Sequence, residues 1–295
     1  MATLNDVHCH FFSTPFFAAL GGEAAIARLG WTPPGTADTL ADRWVAELDR
    51  HDIRRAALIA SVPGDASSVA SAVTRHPSRF VGFFMVDPTR SDAVETTTAA
   101  LATGALRTIC LFPSMHGYAI GDAQAQQIFE LAASTPGTGV FVHCGVLSVG
   151  VRRKLGLPSR FDLSVGDPVA LQPVATRFSS VPIIVPHFGA GFFREALMLA
   201  DLCANVHLDT SSSNGWMKYH PGFTLGGVFR QALAVAGPDR LLFGTDSSFF
   251  PRGWVRDVYE AQAAALQELG ASEEDRAKIF GRNFDRLFPA RAGAP

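Results

Sequence analysis

The sequence is constrained most by short apolar runs, rich in β-branched and aromatic residues, that recur along the chain with segments of helical character between them. Runs of this kind that alternate with helices are typical of βα units and a parallel sheet. Several runs are almost continuously apolar, as expected for strands that are covered on both faces. The predicted strands are residues 4–10, 54–61, 79–87, 106–112, 139–145, 181–187, 205–210 and 240–246.

Eight strands and their connections leave little of the 295 residues for a second domain. We therefore predict an α/β fold, a single-domain (β/α)8 TIM barrel over residues 1–295. The insert at 11–37 is too short for a domain and is predicted to form a lid or rim after the first strand. The long loop at 146–165 is expected to serve the same site. The predicted helices are residues 38–51, 66–76, 90–103, 122–134, 166–179, 190–203, 223–236, 253–269 and 272–286, with Asp38 and Ser272 as expected N-caps.

Composition excludes several classes of protein. Net charge is −2, and no stripe of Lys or Arg suits a phosphate backbone, so no nucleic-acid partner is expected. No run approaches the roughly 18 apolar residues of a membrane span, and the N-terminus lacks a signal sequence, so we expect a cytoplasmic protein without a membrane partner. Four cysteines occur singly, which favours buried thiols over a zinc cluster or disulfides.

Lysine is scarce in this chain. Only Lys154, Lys218 and Lys278 accompany the arginines, and no predicted strand carries one of them. A Schiff-base lysine, or a carboxylated lysine that bridges two metal ions, needs a position on a barrel strand that faces the site. Both chemistries are therefore disfavoured.

Polar residues end most of the predicted strands, where the carboxyl ends of a barrel form its active site. His8 and His10 lie on the same face of the first strand because side chains alternate there. An H-x-H pair alone is a weak signal, and a strand-end Asp can cap a following helix. The joint pattern favours a metal site, since imidazole and carboxylate ligands suit zinc and its borderline neighbours. The strand-end set is His8, His10, Asp87, His143, His187, Asp209 and Asp246.

The order of these residues resembles the amidohydrolase superfamily, specifically the branch similar to aminocarboxymuconate-semialdehyde decarboxylase, called amidohydrolase family 2. The motifs that carry the resemblance lie between residues 6 and 288, so it covers nearly the whole chain. They read DVHCHFF, IGDAQAQQIFELAASTPGTGVFVHCG, PHFGAGFFREALMLAD, LDTSSS, LLFGTDSSF and KIFGRNFDRLF.

The resemblance implies that residues 1–295 are one amidohydrolase-type barrel holding a single divalent metal ion. Its ligands would be His8, His10, His143 and Asp246, and the ion would be zinc first, with manganese or another divalent ion as alternatives. His187 would not be a permanent ligand but would activate or protonate the water on the metal, with Asp246 hydrogen-bonded to that water. Catalysis is thus assigned to His187 and Asp246. A homodimer is also expected from the resemblance alone.

Aromatic residues in the loops predict a pocket for a planar or apolar small-molecule substrate. Arg194, Arg252 and Lys218 follow strands six, eight and seven, so each could reach a substrate carboxylate, which an arginine would bind best. The sequence leaves open which of them does. The residues predicted to bind substrate are Phe12, His116, Tyr118, Arg194, Trp216 and Arg252.

Three functions remain open at this point. The first is a metal-dependent hydrolase of a small cyclic or carboxylated compound that uses a metal-activated water and a His proton relay. The second is a nonoxidative metal-dependent decarboxylase of an aromatic or muconate-like acid, which can use the same residues. The third is a noncatalytic small-molecule-binding barrel. A serine hydrolase is disfavoured because the chain has no G-x-S-x-G motif.

Overall fold

Eight parallel strands form one sheet in the order of the sequence, from β1 to β8, in a computed structural model that describes residues 3–212 and 214–290. Helices alternate with the strands, and the predicted (β/α)8 barrel is confirmed. Each predicted strand has its counterpart. The strands are β1 (Asn5–Phe11), β2 (Arg55–Ala60), β3 (Phe80–Val86), β4 (Leu106–Leu111), β5 (Gly139–Val142), β6 (Ile183–Val185), β7 (Val206–Asp209) and β8 (Leu241–Leu242).

The barrel closes between β8 and β1, through backbone bonds that also involve residues just beyond β8. Val7 N–H donates to the Phe243 carbonyl at 2.9 Å, and Cys9 forms an isolated parallel bridge with Ser247. The register of β1 against β2 shifts between Asp6 and Cys9, as at a β-bulge. Bulges re-aim side chains and are frequent beside active sites.

Three strands end at least two residues earlier than predicted. β5, β6 and β8 stop before His143, His187 and Asp246, which therefore lie in the turns that follow. His187 and Asp246 have left-handed φ angles of 55° and 61°, which a continuing strand cannot hold. The polar side chains thus sit on the loops at the carboxyl end of the barrel.

The helices lie close to the predicted ranges, but their exact ends and some of their caps differ. The first barrel helix begins at Ala37 and is capped by Thr36, which accepts from Thr39 N–H, so the prediction of Asp38 as the cap was wrong. Ser272 accepts from Asp275 N–H and caps its helix as predicted. The helices are α1 (Thr14–Ala18), α2 (Gly22–Leu29), α3 (Ala37–Arg50), α4 (Ala66–Arg75), α5 (Ala93–Ala102), α6 (Pro113–His116), α7 (Ala123–Ser134), α8 (Gly150–Lys154), α9 (Gln172–Arg177), α10 (Phe193–Leu202), α11 (Leu225–Ala236), α12 (Arg256–Glu268), α13 (Glu273–Ala277) and α14 (Asn283–Leu287).

The core has an inner and an outer layer. On β2, Ala57 and Ile59 face the barrel interior, whereas Leu58 and its alternate neighbours pack against the helices. Phe284 and Phe288 of the C-terminal segment join the interior cluster and close the amino-terminal end of the barrel. The single helix predicted at 272–286 is interrupted there by a π-helical turn, Lys278–Arg282.

The insert at 11–37 forms the predicted lid-like element. Its helices α1 and α2 pack against α8 from the loop at 146–165, through a hydrophobic cluster separate from the barrel core. We call these two segments together the cover. The cluster consists of Phe16, Phe17, Ala25, Ile26, Val151 and Leu155.

The four cysteines are free and buried, as predicted. Within residues 3–212 and 214–290, no helix combines the length and hydrophobicity that crossing a membrane requires.

Candidate metal centre

The closure between β8 and β1 brings three of the predicted ligands together. Asp246 N–H donates to the His8 carbonyl at 2.9 Å, and His10 N–H donates to the Ser247 carbonyl at 2.7 Å. The backbone hydrogen bonds that close the barrel therefore fix the backbone positions of His8, His10 and Asp246.

Their donor atoms converge. His8 Nε2 lies 3.3 Å from His10 Nε2, and Asp246 Oδ1 lies 3.2 Å from His10 Nε2 and 3.6 Å from His8 Nε2. All three atoms lie within 4.8 Å of one another, the spacing of a metal-binding group. Among the residues that the structure describes, neither His143 nor His187 belongs to a group of three with this spacing.

The other ring nitrogens of the two histidines are already committed. His8 Nδ1 lies 2.7 Å from Asp209 Oδ2 and donates to it. Ser61 Oγ donates its only proton to the Ile59 carbonyl at 2.9 Å, so it accepts from His10 Nδ1 at 2.7 Å. Both Nε2 atoms therefore carry lone pairs, the arrangement typical of metal-binding histidines. Two lone pairs and a carboxylate oxygen that face one another fit a cation.

The ionisation of Asp246 and His10 agrees with a cation site. Withdrawal from water raises the pKa of Asp246, but the neighbouring imidazoles of His10, His8 and His187 outweigh it and hold the pKa below its ordinary value. Withdrawal from water lowers the pKa of His10. Burial also lowers the pKa of His8, but the charges of Asp209 and Asp246 outweigh it, and the net shift is upward. The carboxylate is thus charged and the His10 imidazole neutral.

His143 lies near these three residues and is also buried. Its buried ring stacks on Phe112 with centroids 5.3 Å apart and meets His187 at the same separation. Burial lowers the pKa of His143 well below its ordinary value. Its Nδ1 has no hydrogen-bond partner among the described residues. A buried, unpaired nitrogen of this kind costs about 1–3 kcal/mol unless it finds a ligand.

His187 adjoins His8, with ring centroids 5.0 Å apart. Its Nδ1 lies 2.9 Å from Ser211 Oγ and 3.3 Å from the Ser211 carbonyl. Because a carbonyl only accepts, Nδ1 carries the proton and Nε2 has the lone pair. Withdrawal from water lowers the pKa of His187. The ring is therefore suited to accept a proton at Nε2.

Sequence reasoning missed two carboxylates that support this site. Asp209 was weighed as a helix cap, but its buried carboxylate accepts from His8 Nδ1 and, at 2.7 Å, from Ser211 N–H. Asp6, two residues before His8, accepts from His8 N–H at 2.8 Å and from Trp254 Nε1 at 2.7 Å. Burial raises the pKa of Asp6 to about 6. The available signals were a strand-end position for Asp209 and the D-x-H-x-H spacing for Asp6.

A cavity of about 730 Å³ contains the site. Of the residues predicted to bind substrate, Phe12, Trp216 and Arg252 line it. The metal and catalytic candidates that line it are His8, His10, His143, His187 and Asp246.

Three predicted substrate contacts are not among the residues that line the cavity. The rings of His116 and Tyr118 stack on each other with centroids 6.5 Å apart. On the short helix α6, Met115 lines the cavity instead of His116. Arg194 lies exposed on α10 and pairs with Glu195 at 2.6 Å. The structure thus separates these three from the other candidates.

The cavity is rich in cations. Five basic residues line it, whereas Asp246 is its acidic member among the described residues. None of the five forms an ion pair with a carboxylate in the described part of the chain; Arg252 instead donates to Ser248 Oγ at 2.9 Å. We call them the rim cations: Arg152, Arg153, Lys154, Lys218 and Arg252.

Aromatic rings lie beside the rim cations. Trp31 and Phe249 stack with centroids 3.7 Å apart. Lys154 Nζ lies 5.4 Å from the Trp31 ring, and Arg252 Cζ lies 4.6 Å from the Phe249 ring. The cavity therefore offers flat apolar surfaces next to unpaired positive charge, a combination suited to a planar anion.

A family model described as amidohydrolase matches residues 6–290. No curated protein matches the chain.

Several solved structures share the fold. A probable 2-pyrone-4,6-dicarboxylic acid hydrolase from Acinetobacter baumannii, with citric acid bound, has a TM-score of 0.65 at 16% identity, covering 98% of this chain and 99% of its own. A 5-carboxyvanillate decarboxylase from Novosphingobium aromaticivorans, with manganese and 4-hydroxy-3-methoxy-5-nitrobenzoic acid, has a TM-score of 0.65 at 14% identity, covering 97% and 96%. An amidohydrolase from Burkholderia multivorans with bound zinc has a TM-score of 0.64 at 16% identity, covering 98% and 100%. Similarity at these identities establishes the fold alone.

Proposed function

Since the chain belongs to the amidohydrolase family, we propose that it is a metal-dependent hydrolase of a small cyclic or carboxylated compound. The observation that carries the proposal is the convergence of His8 Nε2, His10 Nε2 and Asp246 Oδ1 at separations of 3.2 to 3.6 Å. These three acceptor atoms, with His187 beside them, line one cavity. Such a set suits a cation that activates water.

The ion in this proposal is zinc, with manganese as the alternative. Imidazole nitrogens and a carboxylate oxygen are common zinc ligands. The Burkholderia structure contains zinc, and the Novosphingobium structure contains manganese. His8, His10 and Asp246 would hold the ion, and His143 is the proposed fourth ligand because its buried Nδ1 is unpaired. When bound, the ion would act as a Lewis acid and lower the pKa of water to about 7.

The chain's own residues handle the proton. His187 Nε2, with its lone pair, accepts a proton from the attacking water and returns it to the leaving oxygen or nitrogen. The hydrogen bonds from Nδ1 to Ser211 hold the ring in the tautomer that this transfer needs. Asp246 would accept a second hydrogen bond from the same water. The residues thus form a general acid–base pair for acyl transfer.

The substrate class follows from the walls of the cavity. A planar ring would lie against Trp31 and Phe249, and a carboxylate would meet Arg252 and Lys154 beside them. The cover encloses this part of the cavity, and exclusion of water there would strengthen the ionic contacts. We therefore place a carboxylated cyclic ester or amide first among substrates.

A decarboxylase is the second candidate, favoured by the fold shared with the carboxyvanillate enzyme. Decarboxylation requires a proton donor for the substrate carbon, whereas the tautomer of His187 presents an acceptor at Nε2. This difference places hydrolysis first.

A substrate panel tests the proposal. Lactones, amides and aromatic acids, each with and without a carboxylate, are assayed with protein reconstituted with zinc or manganese. We expect hydrolysis of a carboxylated lactone or amide, lost on chelation and restored by the metal. Release of carbon dioxide without hydrolysis would favour the decarboxylase, and binding without turnover would favour a noncatalytic barrel.

Matched variants test the anion contact. Lys154→Met should raise KM for the carboxylated substrate but not for its uncharged analogue. Arg194→Met is the control, because this cation lies outside the cavity and already has a partner in Glu195. Equal effects of the two substitutions would contradict the assignment.

A further inference from the structure

A serine hydroxyl connects a metal-ligand candidate with the proton-transfer histidine. Ser211 Oγ lies 3.0 Å from Asp209 Oδ2, 3.0 Å from His8 Nδ1 and 2.9 Å from His187 Nδ1. The side chain is completely buried. Three polar contacts at one buried hydroxyl form a connected network, which rigidifies its members when every one of them is satisfied.

The proton positions in this network follow from its chemistry. A serine hydroxyl has one proton to donate, and the Asp209 carboxylate only accepts. Ser211 therefore donates to Asp209, and its lone pairs accept from His187 Nδ1. The protonated nitrogen of His187 is Nδ1, which leaves Nε2 as the acceptor. One carboxylate thus orients two rings, His8 directly and His187 through Ser211.

The local packing leaves room for this close approach. A Cβ at Gly244 would lie 2.7 Å from Asp209 Oδ1 and 2.9 Å from Ser211 Cβ. A larger residue there would displace the carboxylate or the serine. Glycine at this position therefore permits the segment after β8 to lie close to Asp209 and Ser211.

The His187 ring has both a backbone acceptor and a side-chain acceptor within reach, and both belong to Ser211. His187 and Phe188 have left-handed φ angles of 55° and 52°, outside any regular element. The Ser211 carbonyl lies 3.3 Å from His187 Nδ1, farther than the hydroxyl at 2.9 Å. The hydroxyl is therefore the nearer acceptor for the ring proton.

We propose that Ser211 is a positioning residue that, together with Asp209, holds His187 as the Nδ1–H tautomer with Nε2 free. The inference rests on the proposed function in assigning proton transfer to His187. It adds a residue for which neither the motifs nor the metal-ligand set provides a role. Its chemistry is an Asp–Ser–His chain from β7 to the turn after β6.

The tautomer can be measured without any turnover. Nitrogen-15 labelling of histidine and long-range proton–nitrogen correlation identify which ring nitrogen of His187 carries the proton, in the metal-free and the zinc-loaded protein. We expect the Nδ1–H form in the wild type and a mixture of tautomers in Ser211→Ala. An unchanged tautomer in Ser211→Ala would overturn the inference, because the backbone carbonyl alone would then fix the ring.

Thr210→Val is the matched control. Thr210, the residue before Ser211, is also buried and donates to Gln262 Oε1 at 2.7 Å. Within residues 3–212 and 214–290, neither of these side chains is hydrogen-bonded to a histidine. Loss of this hydroxyl should leave the His187 tautomer unchanged. A shift of equal size in both variants would indicate a general structural effect and would overturn the inference.

Kinetics supply the second readout. Ser211→Ala should lower kcat by about 10- to 100-fold, the usual effect of removing a partner that orients a functional group, with KM and metal content unchanged. Added to His187→Ala, it should lower the residual turnover no further, because residues that act as a unit are not additive. A full additional loss would contradict action through His187.

The two proposals fail in different ways. If Ser211→Ala shifts the tautomer but His187→Ala retains turnover, the hydrolase mechanism fails and the positioning role stands. If the tautomer is unaffected while His187→Ala is inactive, the positioning role fails and the mechanism stands.

Discussion

At the scale of single residues, the site depends on how each histidine divides its two nitrogens. Asp209 and Ser61 accept hydrogen bonds from the Nδ1–H groups of His8 and His10, and both Nε2 atoms therefore face Asp246. The residue types alone do not determine this division. The partners that fix the tautomers make the three side chains a ligand set.

Substitution should separate the ligands from the proton-transfer residue. His8→Ala and Asp246→Ala each remove a converging atom and should abolish stoichiometric metal binding. His187→Ala should abolish turnover and retain most of the metal, because His187 is outside the converging group. Metal analysis of the purified variants checks this, and loss of metal from His187→Ala would make it a true ligand.

Asp209→Asn tests the support behind His8. If the amide of the variant turns its NH₂ group toward His8 Nδ1, it cannot accept the hydrogen bond that orients this ring. The affinity for the metal should therefore fall by about 10- to 100-fold. Asp87→Asn is the control, since Thr89 is the one residue in the described part of the chain that donates to this strand-end carboxylate. Calorimetric titration with zinc measures both, and equal affinities for the two variants would refute the role of Asp209.

At the scale of elements, the barrel supplies the ligands and the cover encloses the cavity above them. The hydrophobic cluster of the cover is separate from the barrel core, so its packing has its own local stability. Lys154, one of the rim cations, lies on helix α8 of the cover. The proposed anion contact Lys154 thus lies on the cover, whereas the candidate metal ligands lie on the barrel.

Phe17→Ala should loosen the cover without unfolding the barrel. Phe17 is buried in the cover cluster, and its removal should speed protease cleavage within residues 11–37 and raise KM. Phe129→Ala, in the outer layer of the barrel core, should instead lower the free energy of unfolding by about 3–5 kcal/mol. Limited proteolysis and denaturant unfolding distinguish the two, and an equal loss of global stability would contradict a separate cluster.

At the scale of the whole molecule, stability depends on two features of the barrel: the closure between β1 and β8, and the packing that fills its amino-terminal end. Backbone bonds from Val7 and Asp246 join β1 to the chain around β8, and Phe284 and Phe288 fill the amino-terminal end. The bonds that close the barrel also place the candidate ligands. Folding and assembly of the site are therefore coupled.

His207 predicts how stability responds to acid. Burial and the nearby Arg286 charge lower its pKa from 6.5 to about 4 in the folded chain. Between these values the unfolded chain binds more protons, so stability is full above pH 6.5 and falls by about 3 kcal/mol as the pH drops through this window. Denaturant unfolding at pH 7 and pH 4.5 should show a smaller loss for His207→Asn than for the wild type. An equal loss would contradict the depressed pKa of His207.

The sequence by itself determined the barrel and the chemistry available to it. Period-two and helical patterns are local, so eight strands and their order could be predicted, and the family that the motifs resemble is confirmed by the match over residues 6–290. Strand-end positions also predicted that His8, His10 and Asp246 would lie together, because the carboxyl ends of barrel strands share one face. The supporting carboxylates Asp6 and Asp209 also had suggestive positions in the sequence, but those positions did not reveal which side chains they support.

Only the tertiary structure decided the partners and the directions of side chains. Asp209 contacts His8, 201 residues away in the sequence, and Ser211 contacts His187, 24 residues away. No local periodicity specifies either contact. His116 and Arg194 follow strands as predicted, but they lie on helices α6 and α10 and are not among the residues that line the cavity. The physical reason is that periodicity sets which face a residue occupies within its element, whereas packing between distant elements sets what that residue touches.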